Sequence, residues 1–488
     1  MRFNSSAILK ILCQIVIIIG FSMVPSLGIA IFLHEKEMVP IFFGLIVIFL
    51  CIGFIGTVNI RPASNNLRVR DGFFLVGLTW LLASLLGTLP YLASGVFTSF
   101  PDALFESTAA FTTTGASILQ ELETLPRSLL FWRSLSQWLG GMGILIFIIS
   151  ILPALGISGQ KIAKAEATGP ILDKFTPKMS DSAKVLYLIY FLFTALCLIL
   201  LLFNGMDLFD AFIYSFSSVS TGGLVCHSDG IAHFDSRSIE LIISFFAIFS
   251  SVNFTLYYVL LRGRWKDFFR NCELQVFACL LLASTALISV NLFAHNVFDS
   301  VSESLHYAFV HVTAFITSAG YFCTNFDTWP AFSKSVLFVL AMIGGCSAST
   351  CGGLKIIRVI VLFRVFVQGL RKKLHPRAVI PVKVQDHIIP EETVFSIFVY
   401  FFLYLFTLFA SALILSFQQI DLMSALSAVS ALLNTTGTGF GLVGPTGNFA
   451  FFSPGLKLFL CILMLIGRLE MYAIIFLFIP SFWKPSVK

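Results

Sequence analysis

Four short stretches of the chain combine hydroxyl-bearing residues with glycine in a way that can hold a bare cation. They are Thr112-Thr113-Thr114-Gly115-Ala116, Val219-Ser220-Thr221-Gly222-Gly223, Ile316-Thr317-Ser318-Ala319-Gly320 and Asn434-Thr435-Thr436-Gly437-Thr438-Gly439. Glycine reaches backbone angles closed to other residues, so successive carbonyl oxygens can face one point with no side chain filling the space. Threonine and serine hydroxyls add oxygens or brace the turn from behind. One such turn is weak evidence, because a Thr-Gly pair between membrane helices is usually a packing contact. Four copies about a hundred residues apart mark one structural unit used four times. A ring of four backbone loops can replace the water shell of a dehydrated alkali cation. The candidate cation-binding residues are therefore Thr113, Thr114 and Gly115, then Ser220, Thr221 and Gly222, then Ser318, Ala319 and Gly320, and finally Thr435, Thr436 and Gly437.

The elements that must position these turns follow from segment length. Before each turn runs an apolar segment too short to span a bilayer, over 102–111, 208–218, 302–315 and 421–433. It reads as a re-entrant half-helix whose irregular end must be surrounded by protein or water. Asp102, Glu106, Asp207, Asp210, Ser302, Glu303 and Asp421 lie in the opening residues of these segments, where they cap N-termini and meet the positive end of the dipole. Carboxylates around an outer mouth also concentrate cations. The other end of each half-helix points its carbonyl dipoles inward and stabilises positive charge.

Composition places these units in a membrane. The 488 residues are 57% hydrophobic and 11% charged, against about 25% charged in soluble domains. Ten stretches are long and apolar enough to span: 8–33, 38–59, 72–95, 128–153, 184–206, 238–261, 274–295, 334–366, 391–416 and 454–479. The first lacks a small-residue cleavage site and reads as a retained helix. The fold class expected is an all-α polytopic membrane protein, with a two-helix extension (1–60) and four helix, half-helix, helix repeats over 61–160, 161–270, 271–385 and 386–488. Basic residues cluster on one side: Arg61, Arg68 and Arg70; Lys161, Lys164, Lys174, Lys178 and Lys184; Arg262, Arg264, Lys266 and Arg270; Arg371, Lys372, Lys373, Arg377 and Lys383; and Lys484 and Lys488. The positive-inside rule makes that side cytoplasmic, with both termini inside and the four turns entering from outside. The net charge of +6 thus reflects loop topology and points to no nucleic acid.

The ten cysteines have no metal-ligand spacing and read as small apolar packing residues, with a Cys226–Cys323 disulfide left open on the outer side. His227, His233, His306 and His311 near the outer mouth read as hydrogen-bonded structural residues. The 55 phenylalanines are assigned to lipid and helix contacts.

Two features lie deeper. Span eight is interrupted by Gly344-Gly345-Cys346-Ser347-Ala348-Ser349-Thr350-Cys351-Gly352-Gly353, which cannot stay a regular lipid-facing helix. It reads either as a kink of small residues at a helix interface or as an intramembrane loop below the turns. Arg468 sits inside the last span, at an insertion cost of at least about 2.5–3.5 kcal/mol. It reads as an ion-paired residue or as a pore-facing barrier to cations. Lys355 and Arg358 face the inner cavity or snorkel to the cytoplasm, the latter being favoured.

The runs Leu139-Gly140-Gly141-Met142-Gly143, Ser218-Val219-Ser220-Thr221-Gly222-Gly223, Gly344 to Lys355, and Gly467-Arg468-Leu469-Glu470 together resemble the Trk/Ktr/HKT potassium transporter superfamily, most closely its TrkH branch, over about residues 60–480. The resemblance implies a pseudo-fourfold potassium-selective pore and a homodimer with one pore per protomer. Gly115, Gly222, Gly320 and Gly437 would take the places of the filter glycines. Gly344, Gly345, Ser347, Ser349, Gly352, Gly353, Lys355 and Arg468 would form the gate. It also implies a cytosolic TrkA-like partner that binds nucleotide through Rossmann domains and docks on the basic inner surface. The only bound species expected is transported K+, with nucleotide reaching the system through the partner. The chain departs from the pattern at Thr438, where relatives often carry proline, and at Ser318-Ala319 before Gly320. Glycine at 115, where sodium-preferring relatives often have serine, favours potassium and leaves sodium passage open.

Competing readings are weaker. A membrane enzyme needs paired carboxylates, His with Asp, or Ser with Lys at one depth, and the intramembrane segments hold almost no Asp, Glu or His. An alternating-access carrier usually shows two inverted halves, not four parallel repeats. Sodium- or proton-coupled transport through the same architecture stays open. The cytoplasmic loops contain no GxGxxG fingerprint, so nucleotide control has to come from a partner.

Overall fold

Among the described residues, six helical stretches are long and apolar enough to cross a membrane: Ser5–Phe32, Met38–Asn59, Arg70–Ala93, Lys184–Phe203, Cys272–Ala294 and Glu391–Ser416. The computed structural model describes residues 4–61, 68–143, 179–378, 380–385 and 387–483. Lys161, Lys164, Lys174, Lys178, Lys484, Lys488 and residues 144–153 of the span 128–153 lie outside these residues. Phe43, Phe54, Leu188, Phe191, Phe402 and Phe406 are exposed on the long helices, as expected where the solvent is lipid tail.

The first two long helices pack as a pair. Ile8, Ile11, Ile15 and Ile19 meet Phe42, Ile46 and Phe49, and the pair lies on the first repeat through Leu75, Val76, Trp80 and Ala83. Each repeat then follows one plan. A long first helix leads to a half-helix at Phe100–Phe111, Leu208–Ser220, Val301–Ile316 or Leu422–Leu433. The expected half-helices coincide with these within two residues. Two N-termini are capped by residues named from sequence, Asp207 accepting from the Phe209 N–H and Asp421 from Ser424; the third is capped by Ser300, which accepts from the Glu303 N–H, and not by Ser302. The Ser424 N–H and hydroxyl hold the Asp421 carboxyl below its ordinary range.

The second helices differ from expectation. Two that read as continuous spans are broken after a first segment: Arg237–Ser251 turns by 88° into Phe254–Leu261, and Pro454–Arg468 resumes at Tyr472–Phe478; span eight breaks at its glycine-rich stretch as read from sequence, Ala331–Ile343 resuming only at Ile356–Leu374. Glu470 and Met471 break the last span at φ of 49° and 68°. In the first repeat the segment Arg127–Gly141 ends at the same stage. A short hairpin, Lys383–Val384 with His387–Ile388, was not foreseen and follows the basic end of Ile356–Leu374.

The repeats close into a ring through contacts between neighbours. Arg133 of the first donates to the Val225 carbonyl of the second (2.8 Å), and the Ser228 N–H donates to Glu123 (2.7 Å). The Ile231 N–H of the second repeat donates to the Phe322 carbonyl of the third (3.3 Å), and His306 pairs with Glu240. Asp327 of the third accepts from the Gly441 N–H of the fourth (3.1 Å). The ring ends where it began, with the Phe449 N–H on the Ser117 carbonyl (3.0 Å) and Lys457 on Asp102 (2.7 Å).

Candidate ion pathway

All four half-helices end in the same backbone motif. The residues at Thr113, Thr221, Ser318 and Thr435 have φ of 52°, 52°, 57° and 53°. The next N–H in each turn reaches back five residues: Thr114 to Ala109, Gly222 to Ser217, Ala319 to Ala314 and Thr436 to Ala431. This is a Schellman-type ending with threonine or serine where glycine is usual. A non-glycine residue in this region costs about 1–2 kcal/mol, and such strain persists where surrounding structure enforces it.

One residue further, Gly115, Gly223, Gly320 and Gly437 have φ of 76°, 77°, 63° and 74°. The register of the second turn is therefore shifted from the one read in sequence: Gly223, not Gly222, is equivalent to Gly115, and Gly222 is equivalent to Thr114, Ala319 and Thr436. Two adjacent glycines look alike in a sequence, and only one of them takes the left-handed angle.

These glycines meet in a closed cycle. A Cβ at Gly115 would lie 2.0 Å from the Gly222 carbonyl oxygen, at Gly223 1.9 Å from that of Ala319, at Gly320 1.7 Å from that of Thr436, and at Gly437 2.1 Å from that of Thr114. Each turn thus abuts the next in chain order and the fourth returns to the first. No side chain fits between the neighbours, so backbone oxygens crowd one ring. At the residue before each Gly-equivalent pair, the Thr113, Ser318 and Thr435 hydroxyls are buried without a hydrogen-bond partner among the described residues. The fourth equivalent, Thr221, lies 2.7 Å from the Ser220 carbonyl and 3.0 Å from the Thr350 hydroxyl. Orphaned buried hydroxyls beside a carbonyl ring fit a site for a cation or its water.

The ring is braced by residues to which the sequence assigned no such role. Glu106, wholly buried, accepts from the Arg133 Nε at 2.6 Å, from the Ser117 hydroxyl and from the Ile118 N–H. Glu106 was expected as an N-terminal cap; its placement mid-helix turns it instead toward the chain leaving the first turn. Gln137 accepts from the Leu224 N–H at 3.3 Å and packs against Gly222. The signal available for Arg133 was a charge inside an apolar span. Gly140 and Gly467 let the second helices touch the Phe111 and Leu433 carbonyls that end the first and fourth half-helices, which gives the two glycine motifs a packing reason. Outside the ring, partial burial raises the Glu123 carboxyl, but the Ser228 N–H and hydroxyl outweigh it and hold it below its ordinary range.

The loop Gly344–Lys355 lies against this ring. Thr350 meets Thr221 as above and also bonds the Ser250 carbonyl at 3.1 Å, while a Cβ on Gly352 would sit 2.2 Å from the Thr435 hydroxyl. The loop therefore runs from the second turn to the fourth. Glu273 holds its start, accepting from the Ser347 N–H (2.6 Å), the Ser347 hydroxyl (2.8 Å) and the Ile357 N–H (3.3 Å). Arg468 donates to the Thr350 carbonyl and to the Gly140 and Gly141 carbonyls, each at 2.6 Å. It thereby ties the loop to the first repeat. Ser349 bonds back to the Cys346 carbonyl. Lys355 donates to the Cys351 carbonyl, and Arg358 pairs with Glu470 while its guanidinium lies 3.9 Å from the Tyr400 ring centre. Both cations are buried. Snorkelling is thus corrected: buried acceptors satisfy both charges before they reach the surface.

The cysteines among the described residues are free thiols, Cys226 and Cys323 included. Three of the four histidines read as hydrogen-bonded have such partners, His227 with Asp210, His306 with Glu240 and His311 with the Tyr307 carbonyl, whereas His233 stacks on the His227 ring.

The sequence profile of the TrkH family, described as a cation transport protein, matches residues 38–484. The Trk system potassium uptake protein TrkH of Salmonella typhimurium is 38% identical over 427 residues, covering 87% of this chain and 88% of the relative. The Trk system potassium uptake protein TrkG of Escherichia coli is 34% identical over 95% of this chain and 96% of its own length. The crystal structure of the potassium transporter TrkH from Vibrio parahaemolyticus superimposes with a TM-score of 0.88 at 32% identity, covering 99% of this chain and 100% of that one. With a family match over nearly its whole length and a shared polytopic membrane fold, the chain belongs to the TrkH family of cation transport proteins.

Proposed function

We propose that the chain is the membrane-embedded, ion-conducting subunit of a potassium uptake system, carrying K+ inward through one pore enclosed by its four repeats. The observation that carries this reading is the closed cycle of Gly115, Gly223, Gly320 and Gly437, each against the next turn's carbonyl. The carbonyls and hydroxyls of Thr113–Gly115, Thr221–Gly223, Ser318–Gly320 and Thr435–Gly437 replace the hydration shell of K+. Ser220, named from sequence, falls one residue outside this register.

Below the filter, the loop from Gly344 to Gly353 acts with Lys355 and Arg468 as the gate. The contacts with Thr221 and Thr435 support this, as does the positive charge of Arg468, which repels cations from the inner exit. The chain resides in the cytoplasmic (inner) membrane with both termini inside, works as a homodimer, and is controlled by a cytosolic TrkA-like nucleotide-binding subunit. The partner docks on the inner basic surface, where the Gln385 side chain bonds the Arg270 carbonyl and draws the segments 262–270 and 371–383 together. The test is rubidium uptake into proteoliposomes of the purified chain with its partner. Competition by external potassium and little by sodium supports the reading; equal competition by both assigns a non-selective or sodium-type pathway instead.

A further inference from the structure

Three residues immediately outside the second filter turn form a cluster with no part in the pathway above. Asp210, in the first turn of the half-helix Leu208–Ser220, faces Cys226 and His227 on the chain leaving the turn. The Cys226 Sγ lies 3.3 Å from Asp210 Oδ1, and His227 Nε2 lies 3.1 Å from Oδ2. One ligand atom from each of the three falls within 4.8 Å of the others. Zinc-type bonds of about 2.0–2.3 Å at tetrahedral angles place neighbouring ligand atoms about 3.3–3.6 Å apart, a spacing comparable to the 3.3 and 3.1 Å that separate Asp210 from Cys226 and His227.

The surroundings hold the three in place. His233 stacks on His227 with ring centres 3.6 Å apart and planes 6° from parallel. Arg133 fixes the Val225 carbonyl just before the pair, and Glu123 fixes Ser228 just after it. Cys226 is almost wholly buried, while the Asp210 and His227 side chains keep 18% and 17% exposure. The arrangement is closed on the protein side and open to the outer solvent, leaving the fourth position to water, as in sites with three protein ligands.

We propose that Asp210, Cys226 and His227 form an external binding site for one zinc-class divalent metal ion. On binding, the Cys226 thiol gives its proton to solvent and the imidazole proton moves from Nε2 to Nδ1. Sγ, Nε2 and a carboxylate oxygen then coordinate the ion. Thiolate and carboxylate together neutralise its two charges, which suits a half-buried position. Because the site is welded to the chain three residues beyond Gly223, the occupied state stiffens the second filter turn; that consequence for flux rests on the proposed pore, whereas the binding itself does not.

The experiment is titration of the detergent-purified full chain with Co2+, which reports thiolate coordination by a charge-transfer band, followed by competition with Zn2+. Wild type is expected to bind one Co2+ with release of about one proton; Cys226→Ser should lose the band, His227→Ala should weaken binding by about tenfold or more, and Cys323→Ser should keep both. Absence of the band in wild type, or its persistence in Cys226→Ser, overturns the site. External Zn2+ slowing rubidium uptake in wild type and not in Cys226→Ser would extend the proposal to control of flux; binding without that effect leaves the site and rejects the coupling.

Discussion

At the residue scale, two adjacent glycines do different work. Gly223 has left-handed φ and faces the Ala319 carbonyl, whereas Gly222 lacks positive φ and meets the Gln137 side chain. Gly223→Ala forces a methyl onto backbone in a strained conformation, and rubidium uptake is expected to fall by at least about tenfold, from an overpacking cost of about 1–3 kcal/mol. Gly222→Ala displaces the end of a flexible side chain and should retain more uptake. A second prediction concerns Glu106 and Arg133, both buried. Glu106→Gln or Arg133→Met strands the partner charge and should cost about 3–5 kcal/mol, measured as thermal stability in detergent, while the double replacement recovers most of it. The four turns were legible because glycine beside threonine recurs in a fixed frame. The register of the second was not, since local composition cannot choose between Gly222 and Gly223. Arg133 and Gln137 escaped because their partners lie far along the chain.

At the element scale, the half-helices were readable to within two residues from the length of their apolar runs and the capping residues before them. The breaks in the second helices were less so. Ser250-Ser251-Val252-Asn253 contains no proline or glycine, yet the chain turns by 88° there, because Asn253 caps the next helix and the Ser250 and Ser251 carbonyls are taken by the intramembrane loop. That loop is held by Glu273 at one end and Arg468 at the other. Hydrogen bonds to charged groups contribute about 1.5–3 kcal/mol each, so Glu273→Gln and Arg468→Gln are each expected to raise partner-independent rubidium uptake by about tenfold. Unchanged or reduced uptake in both correctly assembled variants would count against the loop as a barrier. Glu273 was absent from the sequence reading, since an acidic residue in the first turn of a helix looks like an ordinary dipole partner.

At the scale of the whole molecule, class and repeat number were legible from composition and periodicity, and ring closure was not, because it rests on contacts such as Phe449 with Ser117 that join distant segments. The inner basic surface gives one prediction here: charge reversal at Arg262 and Lys266, or at Lys372 and Lys373, should weaken co-purification of the cytosolic partner, with the wild-type complex itself loosening as salt rises. The central claim is the fourfold filter. Its most direct measurement is the ratio of rubidium to sodium flux in proteoliposomes of the wild type and of Gly115→Ser, Gly223→Ser, Gly320→Ser and Gly437→Ser. A wild-type ratio well above one that falls in every assembled variant is the predicted result. A ratio of one in the wild type, or one that none of the four substitutions alters, would contradict it.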